Sequence, residues 1–382
     1  MPKSHVSLGT SSSPLVRRPR FLVAVAAVFV VALGAGFLLS RPSGPPGAGV
    51  GSATPSASGA AGRSRGPSGP PPKPKHEVFG FVPYWEMDGG IAAHLARTDL
   101  TTLALFSVTP RKNGSMATNQ LGYRRITGEL GQRLVREAHA RKTRVEVVYS
   151  SFGEDKNRPF LGDAAAQARW IAALVAFVAG NDLDGVNVDV ERLPPDLVPA
   201  YGDFVRRLRE ALDANAPKAE VSVATQANEV GAAMAAAAGV AGADRIFLMG
   251  YDYHYPGSEP GASAPIDRFD GQPKDLAWSL DLYASLGVPV DRTLLGLPLY
   301  GVTWPVVGPD VGAASAGRGE TWVPRRNLRV FANPRFSPTY EPVESVEFYS
   351  VAAKKVLPTA RPRGSAASAA PPAASVRPSI AP

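Results

Sequence analysis

From Glu77 to Val351 the chain alternates short β-branched runs with longer helical patterns, and few folds accept that rhythm. The β-rich runs are Val78–Val82, Thr102–Ser107, Val145–Tyr149, Gly185–Glu191, Val221–Thr225, Ile246–Met249 and Leu294–Leu299. Helical periodicity separates most of them, most plainly at Ala164–Val178, Tyr201–Leu212 and Leu276–Leu286. Strands joined through helices pair in parallel, so this stretch predicts a parallel α/β domain. A (β/α)8 barrel takes about 250 residues, which fits the available length. A doubly wound open sheet is the alternative. No Gly-x-Gly-x-x-Gly follows the first run and no Gly-Lys-Ser/Thr occurs, which counts against nucleotide-binding versions of either.

The flanks have a different composition. Residues 1–20 form a basic tail, and Phe21–Leu39 is an apolar stretch of 19 residues. As a helix that stretch would span roughly 28 Å, about the hydrocarbon thickness of a bilayer. Lys3, Arg17, Arg18 and Arg20 precede it, so the positive-inside rule expects a single-pass signal anchor with a cytoplasmic N-terminus and an extracytoplasmic domain. A cleaved signal, leaving a secreted protein, is the competing reading. It usually has an apolar region of about 7–15 residues and a small-x-small site, to which Leu38-Leu39-Ser40-Arg41-Pro42 conforms poorly. Residues 40–76 are a Pro/Gly/Ser/Ala-rich linker, unable to bury apolar surface, and residues 352–382 read as a disordered Ala/Pro-rich tail.

Net charge is +8, but the three basic segments 1–20, 41–76 and 352–382 carry 14 positive groups and no acid, which leaves −6 for residues 77–351. A basic groove tracking phosphates is therefore not expected, and nucleic acid is excluded as a partner. The absence of cysteine removes thiolate metal sites, iron–sulfur clusters and thiol nucleophiles. Five scattered histidines give no metal-ligand spacing, so neither metal nor cofactor is expected.

The fourth β-rich run carries the chemistry: Asp184-Gly185-Val186-Asn187-Val188-Asp189-Val190-Glu191. Side chains alternate across a strand, so the three valines share one face and Asn187, Asp189 and Glu191 the other. In a barrel the valines would pack under the outer helices, and the polar trio would point inward with Glu191 nearest the C-terminal mouth. Barrel interiors are normally filled by branched apolar side chains, and folding alone gives no reason to place two carboxylates there. Crowding should raise one carboxyl pKa, as a general acid requires. An ordinary half-buried strand with a solvated polar face is the bland alternative; the neighbouring motifs argue against it.

This run resembles the fourth-strand motif of glycoside hydrolase family 18, the chitinase family, usually Asp-Gly-x-Asp-x-Asp-x-Glu. Further matches follow in order. Phe79-Gly80-Phe81-Val82-Pro83-Tyr84-Trp85 resembles the first strand, and Val147-Val148-Tyr149-Ser150-Ser151-Phe152-Gly153 the third. Met249-Gly250-Tyr251-Asp252 resembles the sixth strand, and Leu295-Gly296-Leu297-Pro298-Leu299-Tyr300-Gly301-Val302-Thr303-Trp304 the seventh with its turn. The resemblance covers about Glu77 to Val351. It implies a TIM-type barrel and retaining, substrate-assisted hydrolysis of β-1,4-linked N-acetylglucosamine glycans, of chitin or peptidoglycan type.

By the same resemblance Glu191 would protonate the glycosidic oxygen, and Asp189 would orient the substrate's own acetamido group as it attacks the anomeric carbon. Tyr251 would steady the acetamido oxygen, Asn187 would support Asp189, and Asp252 and Met249 would line the site. Trp85, Tyr84, Trp304, Tyr300 and Gln226 are candidate sugar contacts. A monomer acting on a polysaccharide is expected, its membrane contact made by the N-terminal helix.

Two departures stand out. Asn187 replaces the first inner Asp, a form resembling the branch of cortex and peptidoglycan N-acetylglucosaminidases. After Tyr349 the chain does not supply the expected Trp-bearing eighth strand and closing helix; no Trp follows Trp322. The expected fold is thus a (β/α)8 barrel lacking its eighth strand and helix, through an open barrel or, the preferred reading, a truncated or frameshifted C-terminal sequence. The gap also motivates a second function, a non-catalytic chitinase-like glycan-binding protein.

Overall fold

A computed structural model describes residues 76–351 except 269 and 335, and the backbone alone of Val30–Leu33, Val351 and Ala373–Pro378. Seven parallel strands form the barrel: β1 (Val78–Pro83), β2 (Thr102–Val108), β3 (Arg144–Phe152), β4 (Gly185–Glu191), β5 (Glu220–Gln226), β6 (Arg245–Met249) and β7 (Thr293–Pro298). Each pairs with its successor in sequence order. All seven expected runs are strands; most are lengthened at an end, by up to three residues in β3, while the last is shifted by one residue and leaves Leu299 outside.

The barrel has a seam between β1 and β7, since no parallel eighth strand occurs among the described residues. Across it the backbone of Val30–Leu33 lies antiparallel to both edges, Val31 facing Gly80 on one side and Leu297 on the other. These four residues belong to the apolar stretch expected to cross a membrane. The rest of that stretch, the basic tail and nearly all of the linker lie outside the described residues. Among the described residues no single helix is long and apolar enough to span a bilayer.

Helices cover the barrel from α1 (Gly89–Leu95) through α2 (Leu121–Thr127), α3 (Glu129–Ala140), α4 (Glu154–Leu161), α5 (Ala164–Gly180), α6 (Val198–Asn215), α7 (Glu229–Val240) and α8 (Leu276–Ser285). Their starts are written locally. Asp88, Asp163, Asn228 and Asp275 each accept a hydrogen bond from the backbone N–H three residues on, satisfying a donor that a helix leaves open. The outer core joins the strands to the helices. Val186, Val188 and Val190 of β4 pack with Trp170 and Leu174 of α5 and with Tyr201, Phe204 and Leu208 of α6. A second, inner core fills the barrel with Phe79, Phe81, Phe106, Val148, Phe247 and Leu294. Gly296 is needed on β7 because a Cβ there would stand 2.4 Å from the Phe247 ring.

Downstream of β7 the chain builds an antiparallel sheet that the sequence reading did not anticipate. Its order is β9 (Glu320–Trp322), β8 (Gly301–Val306), Ala373–Pro378, β11 (Val346–Val351) and β10 (Thr339–Glu341). Ala373–Pro378 falls in the stretch read as a disordered tail; its neighbours in that stretch lie outside the described residues. Trp304 sits on β8 and is 1% exposed, packed with Val302 and Val306.

The N-terminal end of the barrel is closed by charge. Glu77, just ahead of β1, accepts from Arg144 at 2.5 Å and from Arg245, while Thr102 donates to it at 3.1 Å. Arg144 also pairs with Glu220 at 3.3 Å. One carboxylate thus ties the starts of β1, β2, β3 and β6 together. Glu77→Ala leaves two half-buried guanidinium groups without their main partner and should lower stability by about 2 kcal/mol, the scale of hydrogen bonds to charged groups. The measurement is chemical denaturation of the two proteins; an unchanged midpoint would mean that the network is ornamental.

Candidate active site

At the opposite, C-terminal end the barrel opens into a cavity of about 300 Å³. Glu191, Asp189, Tyr251, Asp252, Met249 and Gln226 all line it, brought from β4, β5 and the end of β6. The alternation of β4 is what aims the acids inward. Asp189 lies opposite Ser150 of β3, and Glu191, one layer nearer the mouth, opposite Phe152. The Glu191 carbonyl accepts from the Asn157 amide at 2.9 Å and the Gly153 N–H at 3.1 Å, fixing the end of the strand. The next N–H, that of Arg192, donates to Gln226 at 3.1 Å.

Consecutive side chains normally point to opposite faces of a strand, yet Tyr251 and Asp252 both reach the cavity. Asp252 adopts a left-handed backbone with φ 62°, which turns the chain just after β6. Such a conformation costs about 1–3 kcal/mol in a non-glycine residue and persists only where surroundings enforce it. Here the Asp252 N–H donates to Ser263 at 3.1 Å, and the Tyr300 hydroxyl donates to the Asp252 carboxylate.

Burial sets the protonation states. It raises the Glu191 carboxyl to about 7, helped by the nearby Asp252 charge and opposed by Arg192. Asp189 is raised well above the usual carboxylate range, first by burial and then by Glu191. Burial also raises Asp252, while the hydroxyls of Tyr300 and Ser263 pull it back. Tyr251 is pushed far up by burial and by the surrounding acids, so its hydroxyl remains a donor. The site therefore offers a protonated carboxyl at the mouth, an acidic partner beneath it and a neutral phenol beside them: a proton donor, an orienting group and a hydrogen-bond donor for a developing oxyanion.

The other candidates fall outside the cavity wall. Asn187 is fully buried a layer below Asp189, and its Nδ2 donates to Ser222 at 2.7 Å. Tyr300 is buried behind Asp252, its ring edge-on to Tyr251 at 6.2 Å. Trp85 is 38% exposed and meets the cavity-lining Phe106 edge-on at 5.8 Å, while Tyr84 packs behind it at 4.8 Å. Trp304 is corrected from a sugar contact to a core residue. Its side chain packs with Val302, Val306 and Ala313, and its Nε1 donates to the Ser258 carbonyl at 3.0 Å. Sequence reasoning missed Arg268, Lys274 and Phe152, which also line the cavity. The two cations come from the irregular chain after β6, which has no period to read.

A family model described as glycosyl hydrolases family 18 matches residues 70–356. The cortical fragment-lytic enzyme of Bacillus subtilis is 27% identical over 247 residues, 61% of this chain and 54% of that protein. The chain spans about half the length of the first curated relatives it matches. Among solved structures, the spore cortex-lytic enzyme of Bacillus cereus superposes with a TM-score of 0.59 at 15% identity, covering 79% of this chain and 64% of that one. A chitinase from Chromobacterium violaceum gives 0.56 at 18% identity, covering 78% and 86%. These likenesses carry the barrel fold.

The raised Glu191 pKa has a consequence independent of any reaction. Its folded-state value, about 7, exceeds the 4.5 of an unhindered glutamate, so the native state binds the proton more tightly and loses stability as pH rises between the two. Glu191→Gln cannot ionise. Relative to wild type it should be more stable at pH 8 than at pH 4 by about 3 kcal/mol, read from denaturation curves at both pH values. A difference that does not change with pH would contradict the burial of a titrating Glu191.

Proposed function

The chain belongs to the glycosyl hydrolases of family 18, and on that premise we propose that it cleaves β-1,4-linked N-acetylglucosamine glycans with retention, using the substrate's own acetamido group as nucleophile. The observation that carries this reading is the Glu191 carboxyl, kept protonated toward neutral pH at the mouth of an open cavity with Asp189 directly beneath it. Glu191 gives its proton to the glycosidic oxygen as the acetamido oxygen closes on the anomeric carbon. Asp189 accepts from the acetamido N–H and balances the charge of the oxazolinium ring. Tyr251 donates to the acetamido oxygen. Water then opens the ring as Glu191 takes back a proton, which is the two-stage use of one carboxyl that retention demands.

Arg268 and Lys274 bear on the substrate. Chitin is uncharged, whereas peptidoglycan carries carboxylates on its sugar and peptide substituents, and two cations in the cavity wall, which pair with Asp270 and Glu229, suit the latter. The cortex-lytic relative agrees with that direction. We further infer, from the basic residues ahead of the apolar stretch 21–39, that the domain works outside the cell, tethered to the membrane. The seam between β1 and β7 favours a second reading, a glycan-binding protein without turnover on the same scaffold.

Glu191→Gln should abolish release of sugar from N-acetylglucosamine oligomers, a loss of at least about 10²–10⁴-fold, while binding stays within about tenfold. Wild-type kcat/KM should decline above pH 7, as the Glu191 proton is lost near that value. De-N-acetylated oligomers should not be cut, having no acetamido oxygen. Binding without turnover by the wild-type chain would select the second reading; equal rates on both oligomers would mean that a protein carboxylate attacks instead.

A further inference from the structure

The barrel interior holds a carboxyl that the proposed reaction does not use. Glu146, on β3, is fully buried near the charged base. Its Oε2 contacts the Ser222 hydroxyl, and its Oε1 has no partner among the described residues. Ser222 lies on β5 directly opposite Asn187, whose Nδ2 is 2.7 Å from the same hydroxyl oxygen. One layer up the same face of β4 stands Asp189. Glu146, Ser222, Asn187 and Asp189 thus form one polar column through an otherwise apolar interior.

The column ends on a mismatch. With Asn187 donating down to Ser222, its Oδ1 is buried without a partner among the described residues, and so is Asp189 Oδ1. Two orphan acceptors in adjacent layers of a dry interior are costly. The Asn187 amide has a second orientation, turned over about χ2, that exchanges its oxygen and nitrogen. If the Glu146 acid O–H donates to Ser222, the Ser222 O–H is freed to donate to the Asn187 carbonyl. The Asn187 N–H then points to Asp189. A single proton on Glu146 then gives the Asn187 carbonyl a donor and turns an amide N–H toward Asp189, which favours the ionised form of Asp189 against the burial that raises its pKa.

We propose that Glu146 is a positioning residue, which fixes the orientation of the Asn187 amide through Ser222 so that Asn187 donates an N–H to Asp189. This rests on the reading of Asp189 as the group that holds the substrate's acetamido N–H. Since an amide cannot lend Asp189 a proton, the neutral carboxyl is moved two layers down, where water does not reach. The groups facing Glu146 are Glu220 from β5 and Glu77 from ahead of β1, which favour its neutral form, and Arg144 from its own strand, which opposes them. Burial outweighs both the Ser222 hydroxyl and Arg144, and raises Glu146 to about 8.

The test is a set of full-length variants assayed on N-acetylglucosamine oligomers, with thermal melts to confirm folding. Glu146→Leu and Ser222→Ala should each lower kcat by about tenfold and leave KM within about threefold, on the scale of one hydrogen bond to a charged group. Glu146→Gln should retain kcat within about threefold of wild type, because its amide also donates to Ser222. In an Asn187→Asp background, where a carboxyl borders Asp189 directly, Glu146→Leu should cost less than about twofold. A Gln variant as slow as the Leu variant, or the same fold-loss in both backgrounds, would overturn the proposal. Infrared difference spectra of wild type against Glu146→Gln give a reading that needs no turnover. A neutral-carboxyl band should be present at pH 7 and vanish as pH rises through about 8; its absence would also overturn the proposal. A wild-type chain that shows the band but cuts nothing would refute the hydrolase and leave the neutral Glu146 standing.

Discussion

Everything at the mouth of this barrel depends on the two-residue period of β4. Val186, Val188 and Val190 are held by the aromatic and aliphatic side chains of α5 and α6, and that grip forces Asn187, Asp189 and Glu191 to face inward. Slipping the strand by one residue would send the acids into the outer core and the valines into the cavity. The burial that makes such an interior expensive is also what raises Glu191 toward neutrality and Asp189 well above the usual carboxylate range. Stability given up in packing the strand reappears as a proton held where a leaving oxygen would sit.

The two ends of the barrel use charge in opposite ways. At the base, Glu77 gathers arginines from β3 and β6, and the positive and negative groups satisfy one another. At the mouth, Asp189, Glu191 and Asp252 crowd together, and a proton held on Glu191, against the pull of Arg192, relieves the repulsion. Between the ends, the inner aromatic core keeps water from the Glu146–Ser222–Asn187 column. A paired network suits stability, and an underpaired one suits chemistry.

The small antiparallel sheet matters through the turn ahead of it. Tyr300 lies between β7 and β8, and its hydroxyl holds the carboxylate of Asp252 in a strained backbone position. Trp304 anchors β8 to the segment after β6 through the Ser258 carbonyl. The loop that carries Tyr251, Asp252, Arg268 and Lys274 is therefore braced by elements far along the chain.

The sequence by itself determined the parallel α/β order and the alternation of β4, and its resemblance to family 18 chose the barrel and grouped Tyr251 and Asp252 with the acids. These are written in local period and short motifs, which survive reading one residue at a time. It also registered that no Trp follows Trp322, and among the described residues no parallel strand joins β1 to β7. Only the tertiary structure decided which aromatic rings line the cavity, and it moved Trp304 into a core. An indole at a strand end reads the same whether it meets sugar or core, and the sheet that holds Trp304 is assembled from strands up to 77 residues apart in sequence, Gly301 facing Pro378. Nor could the sequence assign Arg268 and Lys274 to the cavity or join Glu146 to Asn187. Those contacts link β3 to β5 and an irregular loop to the mouth, and such distances in the chain leave no periodic trace because closure of the barrel alone brings them together.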